Sequence, residues 1–318
     1  MEKVLITGIS GQDGLFLTKN LLQESPSLKI YGISRRNKIL DFERKIKYLG
    51  IEDTRNIRVS NIDLLNKEEI KNFINTHKFT KIYNLTGPSS VYDSVKKPEE
   101  TFYIITKIFE NLIEVILDKK TDLSFFQASS SEMFGKSNSK ILTEESEFLP
   151  NSPYAKAKLY NHNMVIDLSK ELDIKSGIMF NHESEFRDSK YLFSKIIKGA
   201  KDIKNKKIKK ITVGSLNYER DWLFAGDVTK AIIKITKSGK KNSYVISSGK
   251  SHSIEYLISI VFDLFNLNWE KYVEVDSNLL RKNDPEKIFS NPSRLVNELN
   301  WKPEYSFEQL IERCVSKS

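Results

Sequence analysis

Cysteine is nearly missing from this chain of 318 residues: Cys314 stands alone. An internal disulfide and any thiolate-rich metal site are therefore excluded, and a reducing compartment is expected. Histidine is scarce as well, with four scattered singly, so no metal site is expected. The 13 glycines and 8 prolines form no linker or low-complexity tract, and no internal repeat divides the chain. No apolar run approaches the roughly 18 residues of a membrane span, and no basic region followed by an apolar core precedes the first strand. A soluble, cytoplasmic chain without a membrane partner is expected, long enough to bury a full core without covalent staples.

Negative charge is the minority, with 51 Lys and Arg against 42 Asp and Glu, a formal net charge of +9. Such a balance raises the question of nucleic acid. The most basic stretch, K-G-A-K-D-I-K-N-K-K-I-K-K at 198–210, has no interleaved aromatics on which bases would stack. It reads as a solvated helix end and turn, and no nucleic-acid partner is expected. The balance suits an enzyme with polyanionic ligands.

Apolar strands at about 3–7, 29–34, 57–60, 81–85, 123–128 and 174–180 alternate with helical patterns at about 13–23, 38–49, 67–77, 97–118 and 153–171. That alternation predicts an α/β fold with a doubly wound parallel sheet of the Rossmann type. After about residue 181 the rhythm loosens. Helices are predicted near 189–202, 226–237, 253–265, 292–299 and 307–316, and short strands at 210–213 and 243–246. The expected division is a dinucleotide-binding domain at 1–180, with elements from about 210–246 returning to it, and a smaller mixed α/β substrate lobe over 181–318.

Residues 7–14, T-G-I-S-G-Q-D-G, join the first strand to the first helix. There Gly8 allows a tight turn, Gly11 lets backbone approach a pyrophosphate, and Gly14 lets helix and strand pack closely. The helix N-terminus then faces the anion. An NAD site usually carries an acid about 20 residues beyond the glycines for the ribose hydroxyls. Here the second strand ends in Ser34-Arg35-Arg36, and two guanidinium groups pair instead with a 2′-phosphate. NADP is the expected cofactor. Asp63 and Leu64 are placed against its adenine, and the segment from Leu85 to Ser89 against its pyrophosphate and nicotinamide ribose.

Tyr154 and Lys158 are four apart on a predicted helix opened by Pro153, so both project from one face. An ammonium beside a phenol stabilises the phenolate, making Tyr154 a candidate base near neutral pH. Upstream, the fifth strand ends in Q-A-S-S-S-E at 127–132, which sets a hydroxyl and a carboxylate at the edge of the sheet where ligands bind.

These residues together resemble the extended, nucleotide-sugar-modifying short-chain dehydrogenase/reductase family, and within it the GDP-mannose 4,6-dehydratases. The resemblance runs from Leu5 to about Cys314. It is carried by T-G-I-S-G-Q-D-G, the Arg35-Arg36 pair, Q-A-S-S-S-E, S-P-Y-A-K-A-K-L-Y at 152–160, F-N-H-E-S at 180–184, R-D-W at 220–222 and L-N-W-K-P at 299–303. Gln12-Asp13 and Asn181-His182-Glu183-Ser184 are particular to the dehydratase branch. The resemblance implies a hydro-lyase of deoxysugar biosynthesis with four catalytic residues: Ser130, Glu132, Tyr154 and Lys158. Tyr154, assisted by Lys158, takes the sugar C4 hydroxyl proton as C4 is oxidised by NADP. Ser130 hydrogen-bonds the C4 oxygen. Glu132 removes the C5 proton and aids departure of the C6 hydroxyl, and re-reduction at C6 leaves a 4-keto-6-deoxy sugar. Gln12, Asp13, His182 and Arg187 are implied cofactor contacts beside Gly8, Gly11 and Gly14. Asn181, Arg220 and, more loosely, Arg281 are implied ligands of the nucleotide-sugar diphosphate. A homodimer or homotetramer is implied through the helices at 97–118 and 153–171.

The sequence departs from the family at Thr86-Gly87-Pro88-Ser89-Ser90-Val91, where Ala-Ala-Gln-Ser-His-Val is more usual, and Ser130 replaces the usual Thr. Ser130 also occurs in 4-epimerases; Glu132 does not, since an epimerase has no use for a C5 base. His252 reads as an exposed loop residue without a role. The alternatives are a nucleotide-sugar 4-epimerase, 4-dehydrogenase or 4-reductase, a 4,6-dehydratase acting on another sugar such as a GDP-heptose, and a non-catalytic NADP-binding protein.

Overall fold

The computed structural model describes residues 2–118, 123–280 and 284–318. The first half alternates strand and helix: β1 (Lys3–Thr7), α1 (Gln12–Glu24), β2 (Lys29–Ile33), α2 (Ile39–Tyr48), β3 (Ile57–Ser60), α3 (Lys67–His77), β4 (Lys81–Asn84), α4 (Val91–Lys96), α5 (Pro98–Leu117), β5 (Ser124–Ser130), α6 (Pro153–Leu168) and β6 (Ile174–Met179). The second half continues with β7 (Asn181–Glu183), α7 (Leu192–Lys204), β8 (Ile211–Val213), β9 (Glu219–Phe224), α8 (Ala225–Ser238), β10 (Ser243–Ile246), β11 (Ser251–Ser253), α9 (Ile254–Leu264), β12 (Val273–Val275), α10 (Ser293–Leu299) and α11 (Phe307–Ser316).

Seven strands form one parallel sheet in the order β10-β6-β5-β4-β1-β2-β3. The order reverses between β1 and β4, and the crevice that opens there at the carboxyl ends is where ligands bind in such sheets. Two smaller sheets, β11-β9-β7 and β12-β8, belong to the later half. Strand β10 nevertheless joins the main sheet beside β6, and α8 packs on α1.

Buried apolar side chains lie on both faces of the main sheet, as a parallel sheet requires. One face collects Ile6, Phe16, Phe126, Ile232 and Phe262; the other collects Leu5, Ile70, Ile82, Phe109 and Phe125. Ile9, fully buried, fills the angle between β2 and α1. A Cβ at Gly32 would stand 2.4 Å from Ile9 Cδ1, and one at Gly14 would stand 2.4 Å from the Ile9 carbonyl oxygen. The helix expected over 97–118 is α5, which Pro98 opens at its first position; a short helix that was not expected, α4, precedes it, and Lys97 between the two is held non-helical by the proline that follows. His252, expected in an exposed loop, lies in β11, half-buried and stacked on Phe307 with ring centroids 4.2 Å apart.

Candidate active site

The site is assembled at the carboxyl ends of β1, β4 and β5. A buried polar ladder joins them: Thr7 Oγ1 donates to Asn84 Oδ1 at 2.7 Å, and Asn84 Nδ2 donates to Gln127 Oε1 at 2.8 Å. Desolvated amides left unpaired would each cost about 1–3 kcal/mol, so this chain fixes the relative heights of the three strand ends. The loop after β1 turns at Gly8, whose φ of +73° suits glycine. A Cβ there would lie 3.1 Å from the Leu85 carbonyl oxygen and from Thr86 Oγ1. Gly11 is the N-cap of α1 and supplies no side-chain cap, so the amides of the first turn, which have no partners within a helix, are left for a ligand.

Two motifs 170 residues apart meet at this loop. Gln12 Nε2 donates to the His182 carbonyl at 3.0 Å, and Ser184 Oγ donates to Gln12 Oε1 at 2.7 Å. His182 Nε2 lies 3.0 Å from Asp13 Oδ1. Burial opposes ionisation of both, but each supplies the other's countercharge, and the balance holds Asp13 below the usual carboxylate range and His182 above that of a free imidazole. Arg187 lies beyond, with Nε 3.2 Å from Glu183 Oε2. Burial pushes the Glu183 carboxyl up, with Arg187 acting against that rise.

Helix α6 is set by Ser152 at its N-cap, whose Oγ accepts from the Ala155 amide at 3.1 Å, and by Pro153 in its first turn. Its inward face carries Tyr154 and Lys158, both buried. Lys158 Nζ donates to the Ala128 carbonyl at 2.8 Å and stands 5.8 Å from the Tyr154 ring centroid. Burial lowers the Lys158 pKa to about 8, with Asp13 partly offsetting it. Burial pushes the Tyr154 phenol up, Glu132 adds to that, and a hydrogen bond with Ser130 and the charge of Arg187 act the other way. The protein groups alone therefore do not make Tyr154 the ready phenolate that its neighbour Lys158 suggests in the sequence. Of the three serines in Q-A-S-S-S-E, Ser129 turns into the core, where Ser176 Oγ donates to it at 2.7 Å. Ser176 also meets Nδ1 of His162, which burial holds near pKa 4 and hence neutral. Ser130 caps the turn that carries Glu132, accepting from the Glu132 amide at 3.3 Å. Glu132 lines a cleft together with Asn181, Arg220 and Asp284. Arg220 is held by Asp284 Oδ2 at 3.0 Å and by the carbonyls of Glu219 and Glu286.

The GDP-mannose 4,6 dehydratase family model matches residues 5–314. The chain belongs to the GDP-mannose 4,6-dehydratase family. GDP-mannose 4,6 dehydratase 2 of Arabidopsis thaliana is 31% identical over 98% of this chain and 86% of its own length. The human GDP-mannose 4,6 dehydratase is 28% identical over 98% of this chain and 90% of its length. Among solved structures, dTDP-glucose 4,6-dehydratase of Bacillus anthracis, in complex with NAD, superimposes with a TM-score of 0.85 at 20% identity, covering 100% of this chain and 96% of that one; it shows the shared fold.

The remaining residues singled out in the sequence take these places. Arg35 and Arg36 follow β2 and are exposed, and among the described residues neither guanidinium has an ion-pair partner. Asp63 is exposed after β3 and Leu64 is buried, its carbonyl held by Asn111 Nδ2 at 3.1 Å. Leu85 flanks Gly8, while Ser89 hydrogen-bonds Tyr191. Arg281 lies outside the described residues. The cleft fits a nicotinamide dinucleotide: the glycine cradle admits backbone approach, the end of α1 is uncapped, and Thr86 Oγ1 beside Gly8 is buried without a partner among the described residues. Glu183 and Tyr191 were not foreseen as part of this site. Glu183 had a signal, an acid four residues before Arg187; Tyr191 had none.

Of the R-D-W motif, only Arg220 reaches the cleft. Asp221 accepts from the amides of Ser248 and Gly249, both at 2.9 Å, and from Ser290 Oγ at 2.7 Å, binding three segments of the later half together. Trp222 stacks on Phe307, and in L-N-W-K-P Trp301 Nε1 donates to the Asp227 carbonyl at 3.2 Å. Those residues of the dehydratase signature are structural. Among the described residues no helix is long and apolar enough to cross a membrane.

Proposed function

We propose that this protein removes water from GDP-mannose to give GDP-4-keto-6-deoxymannose, using NADP without net redox change. The observation that carries the reading is Glu132: a carboxylate in the cleft of Asn181 and Arg220, electrostatically coupled to Tyr154. What the nicotinamide supplies when bound is a reversible two-electron acceptor. In this reading Tyr154 takes the proton of the C4 hydroxyl, Ser130 hydrogen-bonds the C4 oxygen, and Lys158 contributes positive charge behind the phenol. The resulting C4 ketone acidifies the adjacent C5–H. Glu132 removes that proton and delivers it to the departing C6 hydroxyl, which leaves as water. Asn181 and Arg220 hold the diphosphate, and Arg35 and Arg36 hold the 2′-phosphate that distinguishes NADP from NAD.

Residues 1–180, with β10 and α8, form the dinucleotide-binding part in this reading, and the two small sheets of the later half cover the sugar. The chain acts as a homodimer or homotetramer. Exposed Tyr92, Phe102, Tyr103, Tyr160 and Ile166 on α4, α5 and α6 supply an apolar face for that pairing. The test is mass spectrometry of GDP-mannose incubated with the purified protein, together with the identity of the co-purified nucleotide. A product lighter by one water with NADP supports the reading. An unchanged mass would move the reading to another nucleotide sugar, such as a GDP-heptose, or to a 4-epimerase or 4-reductase, and loss of two hydrogens would move it to a 4-dehydrogenase.

A further inference from the structure

Tyr191, at the N-cap of α7, makes two contacts that join separate parts of the site. Its hydroxyl lies 2.7 Å from Ser89 Oγ, in the loop after β4. Its ring centroid lies 3.7 Å from the Arg187 guanidinium carbon. Beside it, Lys190 Nζ reaches Asp93 Oδ2 at 3.1 Å, a second bridge, to the first turn of the helix α4 that follows that loop. Arg187 needs such a hold. Its Nε is 3.2 Å from Glu183 Oε2, yet among the described residues neither atom makes an aligned hydrogen bond, so the ion pair does not fix the plane of the guanidinium. An aromatic face under a guanidinium attracts it electrostatically and favours the orientation that keeps the two in contact.

We propose that Tyr191 is a positioning residue: its ring fixes the Arg187 guanidinium, and its hydroxyl, anchored on Ser89, ties that guanidinium to the loop that borders the catalytic cleft. The groups facing Tyr154 are Glu132 and Tyr191, which make its phenol harder to ionise, and Arg187, which makes it easier. Arg187 is itself faced by Glu183, Tyr191, Asp13 and Tyr154. A guanidinium that swings away from Tyr154 withdraws the positive charge that favours its phenolate. The proposal rests on Tyr154 being the base at C4, and it assigns Tyr191 no contact with the sugar.

The experiment follows the first oxidation of GDP-mannose by the absorbance of reduced cofactor at 340 nm in the pre-steady state, as a function of pH. Tyr154→Phe comes first, and retention of the oxidation by that variant would overturn the base assignment itself. With that loss established, Tyr191→Leu is read against Tyr191→Phe, since both remove the hydroxyl that opposes ionisation of Tyr154 and only Phe keeps the ring under Arg187. The acidic limb of the rate profile is expected about one pH unit higher in the Leu variant than in the Phe variant, a tenfold lower rate at fixed low pH, with KM differing less than twofold. Ser89→Ala keeps Tyr191 and loosens its anchor, and moves the limb up by a smaller amount relative to the parent even if the Leu variant folds poorly. Without turnover, the dissociation constant for NADPH read by fluorescence rises at least threefold in Tyr191→Leu and less in Tyr191→Phe. Acidic limbs that coincide in the Leu and Phe variants, or one that stays in place in Ser89→Ala, overturn the proposal.

Discussion

Replacing Lys158 by Met separates the stability effect of a buried charge from its use in catalysis. Lys158 is 6% exposed, and burial brings its pKa to about 8 from the ordinary 10.5. That displacement corresponds to about 3 kcal/mol. Between pH 8 and 10.5 the unfolded chain binds more protons than the folded one, so the contribution of Lys158 to stability rises with pH across this window. Below pH 8 the full cost of holding the charge is present. In Lys158→Met that dependence disappears, while the Ala128 carbonyl loses its donor at every pH, a constant cost of about 1–3 kcal/mol. The expected result is that the difference in unfolding free energy, variant minus parent, falls by about 3 kcal/mol from pH 7 to pH 10.5. Urea unfolding followed by the fluorescence of the three tryptophans, at half-unit pH steps, measures it. A difference independent of pH would refute the reasoning. Turnover of the parent should move the other way, declining above about pH 8 as the ammonium is lost.

Glu132→Gln should leave reduced cofactor accumulating at 340 nm while the sugar loses no water; an unchanged dehydration rate would remove Glu132 from the mechanism. Arg35→Ala removes a charge-assisted contact worth about 1.5–3 kcal/mol, so NADP should bind at least tenfold more weakly while NAD changes less than twofold. Equal losses, measured by fluorescence titration, would mean that the 2′-phosphate is read elsewhere. Gly14→Ala drives a methyl to within 2.4 Å of the Ile9 carbonyl and should destabilise the protein by about 1–3 kcal/mol. A thermal unfolding curve superimposable on the parent's would show that α1 retreats without cost.

The sheet was legible because the parallel strands are largely apolar runs and the intervening helices keep their period, as β1 and α3 illustrate at their expected bounds. The later half was harder for a physical reason. Strand β9 begins with Glu219, Arg220 and Asp221, and β11 is Ser251-His252-Ser253, so neither carries an apolar signal; both are held by pairing partners distant in sequence. In the site, the glycine loop and the Tyr154–Lys158 spacing are local patterns and could be read directly. The meeting of Gln12 with His182 and Ser184, and of Ser89 with Tyr191, depends on chain crossings that no local pattern encodes. The sequence also gave no sign that burial would set Tyr154 against ionisation, since desolvation is a property of the packed cleft.

The wedge formed by Ile9 makes the two glycines around it unequal partners in any substitution. At Gly32 the obstruction is the isoleucine side chain, with Cδ1 at 2.4 Å, Cγ2 at 2.5 Å and Cβ at 2.9 Å, whereas at Gly14 it is the peptide backbone of residue 9 itself. Trimming Ile9 to Ala removes the two closest of those atoms and leaves only a small shift around Cβ, so Gly32→Ala with Ile9→Ala should be milder than the sum of the two single changes, a coupling of the kind expected between touching sites. No choice of side chain at position 9 makes the same room for position 14. One glycine is negotiable against its neighbour, and the other is fixed by the path of the main chain.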